Sequence, residues 1–531
     1  MSYLAISDMD TLPESQTSDV RSFEILFGDK SFTPEILFGD TLDTSKILFG
    51  DKFTSSEIPF GDKIIYYEIL FGDRNMNSPH SDDRPPYMKR KIYDDLVQWK
   101  IASDGRTAVL IDGARRVGKS FVVEEFARNE YRSFLWIDFN DAPPTVIDVF
   151  ENDSLDLDLF FNELSAIYGV TLYRRESLVI FDEVQLYPKA RQMIKRLVKD
   201  RRFDYIETGS LISIKTNVSN ILIPSEEKHI YMHPMDFEEF LWAMGNTETV
   251  PLIKRCFEER KTVSEAVHRS TMNLLRQYML VGGMPQAVST YVNTKDFRLT
   301  DDVKRDILQL YRNDIGKFAE QYQTKVREVF ETIPSQLSKK EKKFNITSIN
   351  KKAKSRRYSD AFLWLTDGMI VNPCFNSVDP NVGLALSLDD SKVKYYMADT
   401  GLLITMAFGD GPYTDNPLYK AVLTGKLGIN EGMITENLVA QMLVASGHRL
   451  YFYSRYGDDP DDNMEIDFLI RRGIKVCPVE VKSSRSRMHV SLDRFMRRFA
   501  RQTGDGYVLH PKNVESDGRT VYLPLYMAIF L

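Results

Sequence analysis

One stretch restricts the fold more than any other: TAVLIDGARRVGKSFVVEEFA, from Thr107 to Ala127. It opens as a short apolar run, passes through two glycines and continues as an amphipathic helix. Gly113-Ala114-Arg115-Arg116-Val117-Gly118-Lys119-Ser120 fits GxxxxGK[ST], in which backbone N–H groups wrap a phosphate chain at the positive end of the following helix. Lys119 can reach the β- and γ-phosphates, and the Ser120 hydroxyl can ligate Mg²⁺. ATP and Mg²⁺ are therefore the expected cofactors. A chance glycine-rich loop would supply the glycines but not the strand before and the helix after.

A second apolar run, SLVIFDEV at residues 177–184, ends in Asp182-Glu183. Carboxylates at the C-terminal end of a strand stand where α/β sheets bind ligands. Asp182 is expected to hold Mg²⁺ through water, and Glu183 to act as general base on the attacking water. Alone, such a pair is more often a helix cap; beside a phosphate loop the catalytic reading wins. FDYIETGS supplies a further strand, where Thr208 or Ser210 takes the place of a polar sensor of the γ-phosphate, although TGS is equally an ordinary turn.

A chain of 531 residues exceeds one hydrophobic core, and roughly three or four domains are expected. The net charge of -7 gives no global field for nucleic acid, so any basic surface is local. Cys256, Cys374 and Cys477 form no pair or CxxC motif, which favours a reducing compartment. MSYLAISDMDTLPESQ has no basic or apolar leader character, and VYLPLYMAIFL is too short to span a bilayer. A cytoplasmic protein with no membrane partner is expected. Between Glu24 and Arg74, five units of the type EILFGDK recur every 11 residues. Their Gly-Asp pairs, with Pro34 and Pro59, break any helix, so each unit reads as a short extended piece ending in a turn. Residues 1–86 are expected to be a disordered tail, with a multivalent docking tail as the alternative.

GARRVGKS, LVIFDEV, TGS, MHPMDFEEFLW and VGGMPQAV together resemble the AAA-type ATPases of bacteria and archaea over residues 88 to about 320. The resemblance implies strands at 107–112, 133–139, 178–182, 203–208 and 228–232, then a helical lid after Asp236. Many members carry a Gly-Arg pair before the last strand, where this chain reads IPSEEKHIYMHP. Arg312, Arg201 or Arg202 could replace that arginine, in cis or from a second copy, which leaves a homo-oligomer open. Next comes a segment with nine Lys or Arg between Lys339 and Arg357 and a single Glu341. It resembles the winged-helix segment that follows this ATPase, with SRRYSDAFLWL in the recognition position. A basic cluster on an acidic chain suits nucleic-acid backbones, although charge runs are usually solvated faces.

In MEIDFLIRRGIKVCPVEVKSS, residues 464–484, strand alternation puts Glu465 and Asp467 on one face, and a hairpin with an Arg-Arg-Gly turn brings Asp467 to Glu480 and Lys482. Upstream, Glu436 lies on the apolar stripe of a helix, where a lone charge needs a partner or a metal. Acids with one lysine suit Mg²⁺-dependent phosphodiester chemistry, in which Lys482 steadies the water or the developing charge. Residues 425 to about 515 resemble the restriction-endonuclease-like PD-(D/E)XK core. Glu436, Asp467, Glu480 and Lys482 fall on its motif positions, and the first three are the expected metal ligands. Asp467 lacks the preceding proline, and Glu-x-Lys on a hairpin is also a routine surface pattern.

The expected fold is thus α/β: a P-loop NTPase sheet sandwiched by helices (87–235), a helical lid (236–320), a winged helix (321–385) and a restriction-endonuclease-like α/β domain (386–531). The expected function is an ATPase coupled to a Mg²⁺-dependent nuclease-like or nucleic-acid-binding domain. The alternative is a nucleotide-dependent switch or scaffold with an inactive nuclease-like domain.

Overall fold

The computed structural model describes residues 88–209, 225–318, 322–339, 342–346, 357–381, 383–409, 416–426, 428, 430–457, 462–483 and 488–531, with six short strands between 21 and 66. Two compact units divide the chain at Arg84/Pro85. In the first, Ile25–Phe27 pairs with Lys30–Phe32 and Glu57–Phe60 with Lys63–Tyr66, both antiparallel. Gly28-Asp29 and Gly61-Asp62 are thereby the two-residue connections, a loop length that favours glycine. The expected disorder of this tail concerns mostly residues outside the described ones.

The second unit begins with helix α1 (Lys91–Ser103) and five strands: β1 (Ala108–Gly113), β2 (Ser133–Asp138), β3 (Ser177–Asp182), β4 (Asp204–Gly209) and β5 (Glu227–Met232). Each starts or ends within one residue of the range that the resemblance implied. All pair in parallel, in the order β5-β1-β4-β3-β2. Parallel sheets need helices on both faces, so their strands read as unbroken apolar runs. Val109, Ile111, Leu178 and Ile180 pack on one side, with α1 and α2 (Lys119–Glu130). Leu110, Val179 and Phe181 pack on the other, with α3 (Pro144–Asn152), α4 (Leu157–Tyr168) and α5 (Pro188–Asp200).

Helices then follow: α6 (Phe237–Ala243), α7 (Thr249–Glu258), α8 (Glu265–Val281), α9 (Pro285–Thr294), α10 (Phe297–Phe318) and α11 (Gln323–Leu337). Asp236 opens the series with a capping box to Glu239. The VGG stretch explains itself here: a Cβ on Gly283 would meet the Met235 carbonyl at 2.1 Å, and the Met235 N–H donates to the Gly283 carbonyl over 2.6 Å. After α12 (Ser359–Asp367), strands β6 (Val371–Ser377) and β7 (Leu388–Met397) form an antiparallel pair that spans the expected boundary at 386. Among described residues, the exposed side of α12 includes Asp360 and Leu363 rather than lysines or arginines.

The C-terminal part comprises α13 (Thr400–Phe408), α14 (Asn430–Ala445), β8 (Leu450–Arg455), β9 (Met464–Ile466), β10 (Phe468–Arg472), β11 (Lys475–Val481), α15 (Val490–Arg498), β12 (Gly506–His510), β13 (Glu515–Asp517) and β14 (Thr520–Pro524). One sheet runs β7-β6-β8-β9, and a second runs β10-β11-β12-β14-β13. Asp467 is the single residue between β9 and β10, where the strand bends from one sheet to the next. Arg471 and Arg472 pair with Val476 and Lys475, so the turn is Gly473-Ile474 rather than Arg-Arg-Gly.

Candidate functional site

The phosphate loop joins β1 to α2 at the C-terminal edge of the parallel sheet. Gly113 faces Met232 across β5, and a Cβ there would meet the Met232 carbonyl at 2.5 Å. Gly118 caps α2 at a φ of 95°, where side chains are strained. Arg115 and Arg116 are exposed on the loop. The Lys119 ammonium is buried and donates to the Gly113 and Ala114 carbonyls over 2.9 and 3.1 Å. Burial pushes its pKa down, against the pull of Glu183, Asp182 and Asp112.

Around it the expected partners come together. The Ser120 hydroxyl donates to Asp182 Oδ1 over 3.3 Å, and the Thr208 hydroxyl donates to the same oxygen. Glu183 follows in the left-handed region, φ 51°, with its N–H on Asp182 Oδ1 and its carboxylate accepting from Gln185 Nε2. Ser210 lies outside the described residues. These donors suit Mg²⁺·ATP: a buried ammonium, a hydroxyl beside a carboxylate, and N–H groups at the start of a 12-residue helix. Asp138 was missed; it stands in register with Asp182, and burial raises its pKa, with Asp182 and Glu183 adding to the effect. Its signal was present, since WIDF also ends a strand in an acid.

Two clamps hold the loop. Arg90, buried, donates to the Val117 carbonyl over 2.7 Å, to the His233 carbonyl over 2.7 Å and to Glu239 over 3.1 Å. From the lid, Asp314 pairs with Arg115 over 2.5 Å, and the Tyr311 hydroxyl donates to the Arg115 carbonyl over 3.2 Å. Arg312 is paired with Glu331 over 2.7 Å. Arg201 and Arg202 precede β4 and therefore lie at the sheet edge opposite the loop, where Arg202 pairs with Asp200 and Asp158.

The C-terminal acids also converge, but not as a metal set. Glu436, on α14 and 3% exposed, accepts from Lys342 Nζ and the Tyr396 hydroxyl, with Lys394 Nζ 3.6 Å away. Lys394, equally buried, pairs with Glu465 over 2.9 Å. Asp467 Oδ2 accepts the Val481 N–H over 2.8 Å, and Glu480 Oε1 accepts from Lys482 over 2.7 Å. Burial raises the Glu480 pKa to about 7, with Asp467 adding and Lys482 opposing. Burial lowers that of Lys342 to about 8 against the attraction of Asp467. Among the described residues no three His, Cys, Asp or Glu side chains are arranged to hold a metal ion. The expectation that Glu436, Asp467 and Glu480 share a metal is corrected accordingly: ammonium groups of Lys342 and Lys482 and a backbone N–H take their oxygens. Lys342, Lys394 and Tyr396 were missed because their contacts to Glu436 cross 94, 42 and 40 positions of sequence.

The two sites are connected through the unit. Arg312 on α10 holds Glu331 on α11, the end of α11 meets the Lys342 segment through Gln336 and Asn345, and Lys342 reaches Glu436. In parallel, Gln441 on α14 donates to the Tyr278 hydroxyl on α8 over 2.9 Å, which donates to the Met235 carbonyl over 2.6 Å.

Comparison with known proteins divides the chain in the same way. Residues 105–241 match an AAA domain, 272–412 a domain of unknown function, DUF8612, and 431–527 another, DUF4143. An uncharacterized protein of Methanocaldococcus jannaschii is 25% identical over 213 residues, 38% of this chain and 43% of that protein, so the chain spans less than half the length of this curated relative. Among solved structures, the ORC1 protein of Aeropyrum pernix in complex with DNA aligns at a TM-score of 0.25 and 11% identity, over 64% of this chain and 93% of that one. The RuvB Holliday junction branch migration motor of Thermotoga maritima aligns at 0.26 and 10%, over 54% and 89%. No described helix is long and apolar enough to cross a membrane. The phosphate loop, the parallel sheet and the matched family together make residues 105–241 an ATP-binding domain of the AAA type.

Proposed function

We propose that the chain is a nucleotide-dependent switch, in which ATP bound and hydrolysed at the phosphate loop sets the state of a nuclease-like C-terminal domain that does not itself cut nucleic acid. Lys119 leaves the loop carbonyls for the phosphates, Ser120 and Asp182 hold Mg²⁺, and Glu183 takes the proton of the attacking water. The ion would neutralise charge on the phosphates. Thr208 steadies Asp182, and the paired Arg312 and remote Arg201 and Arg202 favour an arginine supplied by a second copy. Residues 386–531 are read as a PD-(D/E)XK-like fold and 321–385 as a winged helix. The lysines and arginines between 339 and 357 are read as a nucleic-acid contact. The free cysteines fit a cytoplasmic setting.

The observation that carries the switch reading is the occupied acid centre: Lys342 sits on Glu436 and Lys482 on Glu480, where a nuclease would need the carboxylates for a metal. Lys119→Ala is expected to abolish ATP binding, and Glu183→Gln to keep binding while lowering turnover about 10²- to 10⁴-fold. A panel of single-stranded and duplex DNA and RNA, incubated with Mg²⁺ with and without ATP, is expected to stay intact. Cleavage that disappears in Asp467→Asn would overturn this reading in favour of a coupled nuclease.

A further inference from the structure

Lys342 does not belong to a helix or strand. It stands on residues 342–346, between α11 and α12, a segment pinned by its neighbours. The Phe344 N–H donates to the Val393 carbonyl over 2.8 Å, and the Phe344 ring packs edge-on against Phe362 and Tyr395 at 4.9 and 5.7 Å. Gln336 and Asn345 exchange hydrogen bonds of 3.2 and 3.4 Å. From this mount the lysine reaches into the acid centre.

That centre has one acceptor left over. Glu480 is 9% exposed, and its Oε2 is buried with no hydrogen-bond partner among the described residues. A buried carboxylate oxygen without a partner is costly, and it marks a place where a further cation would be held. Four carboxylates, Glu436, Glu465, Asp467 and Glu480, meet three ammonium groups, Lys342, Lys394 and Lys482. Without Lys342 the formal imbalance would be two negative charges, the charge of one divalent cation.

We propose that Lys342 is an autoinhibitory plug, a tethered ammonium that fills the cation position among Glu436, Asp467 and Glu480 and whose withdrawal opens a divalent-cation site there. The acids do not converge on a single ion while the lysine is in place; Glu436 is turned to Lys342 instead. Once the lysine leaves, Glu436 strands a buried charge, and a hard divalent ion with oxygen ligands relieves it. The proposal rests on the switch reading only for its trigger, which runs from Asp314 on the phosphate loop through Arg312–Glu331 to Gln336–Asn345 and Lys342.

Calorimetric titration of Mn²⁺ into nucleotide-free, full-length protein tests it. Lys342→Ala is expected to take up roughly one more Mn²⁺ per chain than the wild type, and Lys342→Ala/Asp467→Asn to lose that uptake. Lys342→Gln, which keeps a donor for Glu436, is titrated beside it in case the alanine variant does not fold. A folded variant of either kind with wild-type Mn²⁺ uptake overturns the plug. Folding of both variants only in Mn²⁺ supports it, and failure of both to fold with or without Mn²⁺ overturns it, because Lys342 is then a structural partner. ATP titrated into the wild type reports the switch reading separately: absence of ATP binding removes the trigger and leaves the Mn²⁺ result to stand alone.

Discussion

Arg90 lies 149 positions from Glu239 in sequence, yet its guanidinium joins that carboxylate to the Val117 carbonyl of the phosphate loop and the His233 carbonyl at the end of β5. Both members of the ion pair are 6% exposed. Removing one partner of such a pair leaves an uncompensated buried charge and costs about 3–5 kcal/mol. Arg90→Met is therefore expected to lower unfolding free energy by about that amount and to weaken ATP binding, as urea denaturation and nucleotide titration would read; a change under about 1 kcal/mol would mean that Glu239 finds another donor, with Lys91 N–H at 2.7 Å the candidate. Glu183 is the opposite kind of residue. It is visible in sequence after an apolar strand, but its left-handed φ is visible only in the fold, and strain of that sort is held where function requires it.

Among the elements, β1, β4 and β5 share a buried charge network. His229 bonds to Asp112 over 2.9 Å and to Glu227 over 2.7 Å, and Glu227 also pairs with Arg191 over 2.8 Å. The bonds to Asp112 and Glu227 raise the His229 pKa from 6.5 to about 9. Burial, with Glu227 adding, pushes Glu207 well up; burial opposes charge on Glu227, yet its bonds to His229, Glu207 and Arg191 bring it down to about 2. A histidine with a raised folded pKa stabilises fully below its unfolded pKa and loses that stabilisation as pH rises through the folded value. The melting temperature should thus fall between pH 6.5 and 9, and His229→Gln should flatten that fall; an unchanged slope in the variant would assign it to other groups. None of this network was legible in the sequence, because Glu207 and Glu227 sit in strands where an acid reads as a solvated position. The strands themselves were legible, since burial on both faces writes an unbroken apolar run. The 464–481 hairpin was legible from alternation, and it does bring Asp467 to Glu480, but alternation says nothing of lysines arriving from β7 or from the 342–346 segment. The basic run was read as a surface for nucleic acid, whereas one of its lysines points inward to Glu436.

For the molecule as a whole, the contacts between the phosphate loop and the acid centre become a coupling only if they have two arrangements, and continuity of contacts alone does not establish that. The path offers a place to test it. Arg312 is half-exposed, touches neither the loop nor the acid centre, and ties α10 to α11 through Glu331. Nucleotide at the loop acts on α10 through Arg115, Asp314 and Tyr311, so any shift of α10 reaches the Lys342 segment by way of this pair and of Gln336. In hydrogen-exchange measurements, a non-hydrolysable ATP analogue is expected to speed exchange of the amides of residues 342–346 in the wild type. Arg312→Ala should bind the analogue within about threefold of the wild type and lose the response, because about 1–3 kcal/mol of coupling would pass through the severed link. If the variant responds like the wild type, the signal travels instead through Tyr278 and Gln441, and Gln441→Leu should then abolish it. If neither substitution matters and the wild type itself shows no response, nucleotide and acid centre are thermodynamically independent, and the ATPase serves some other part of the chain.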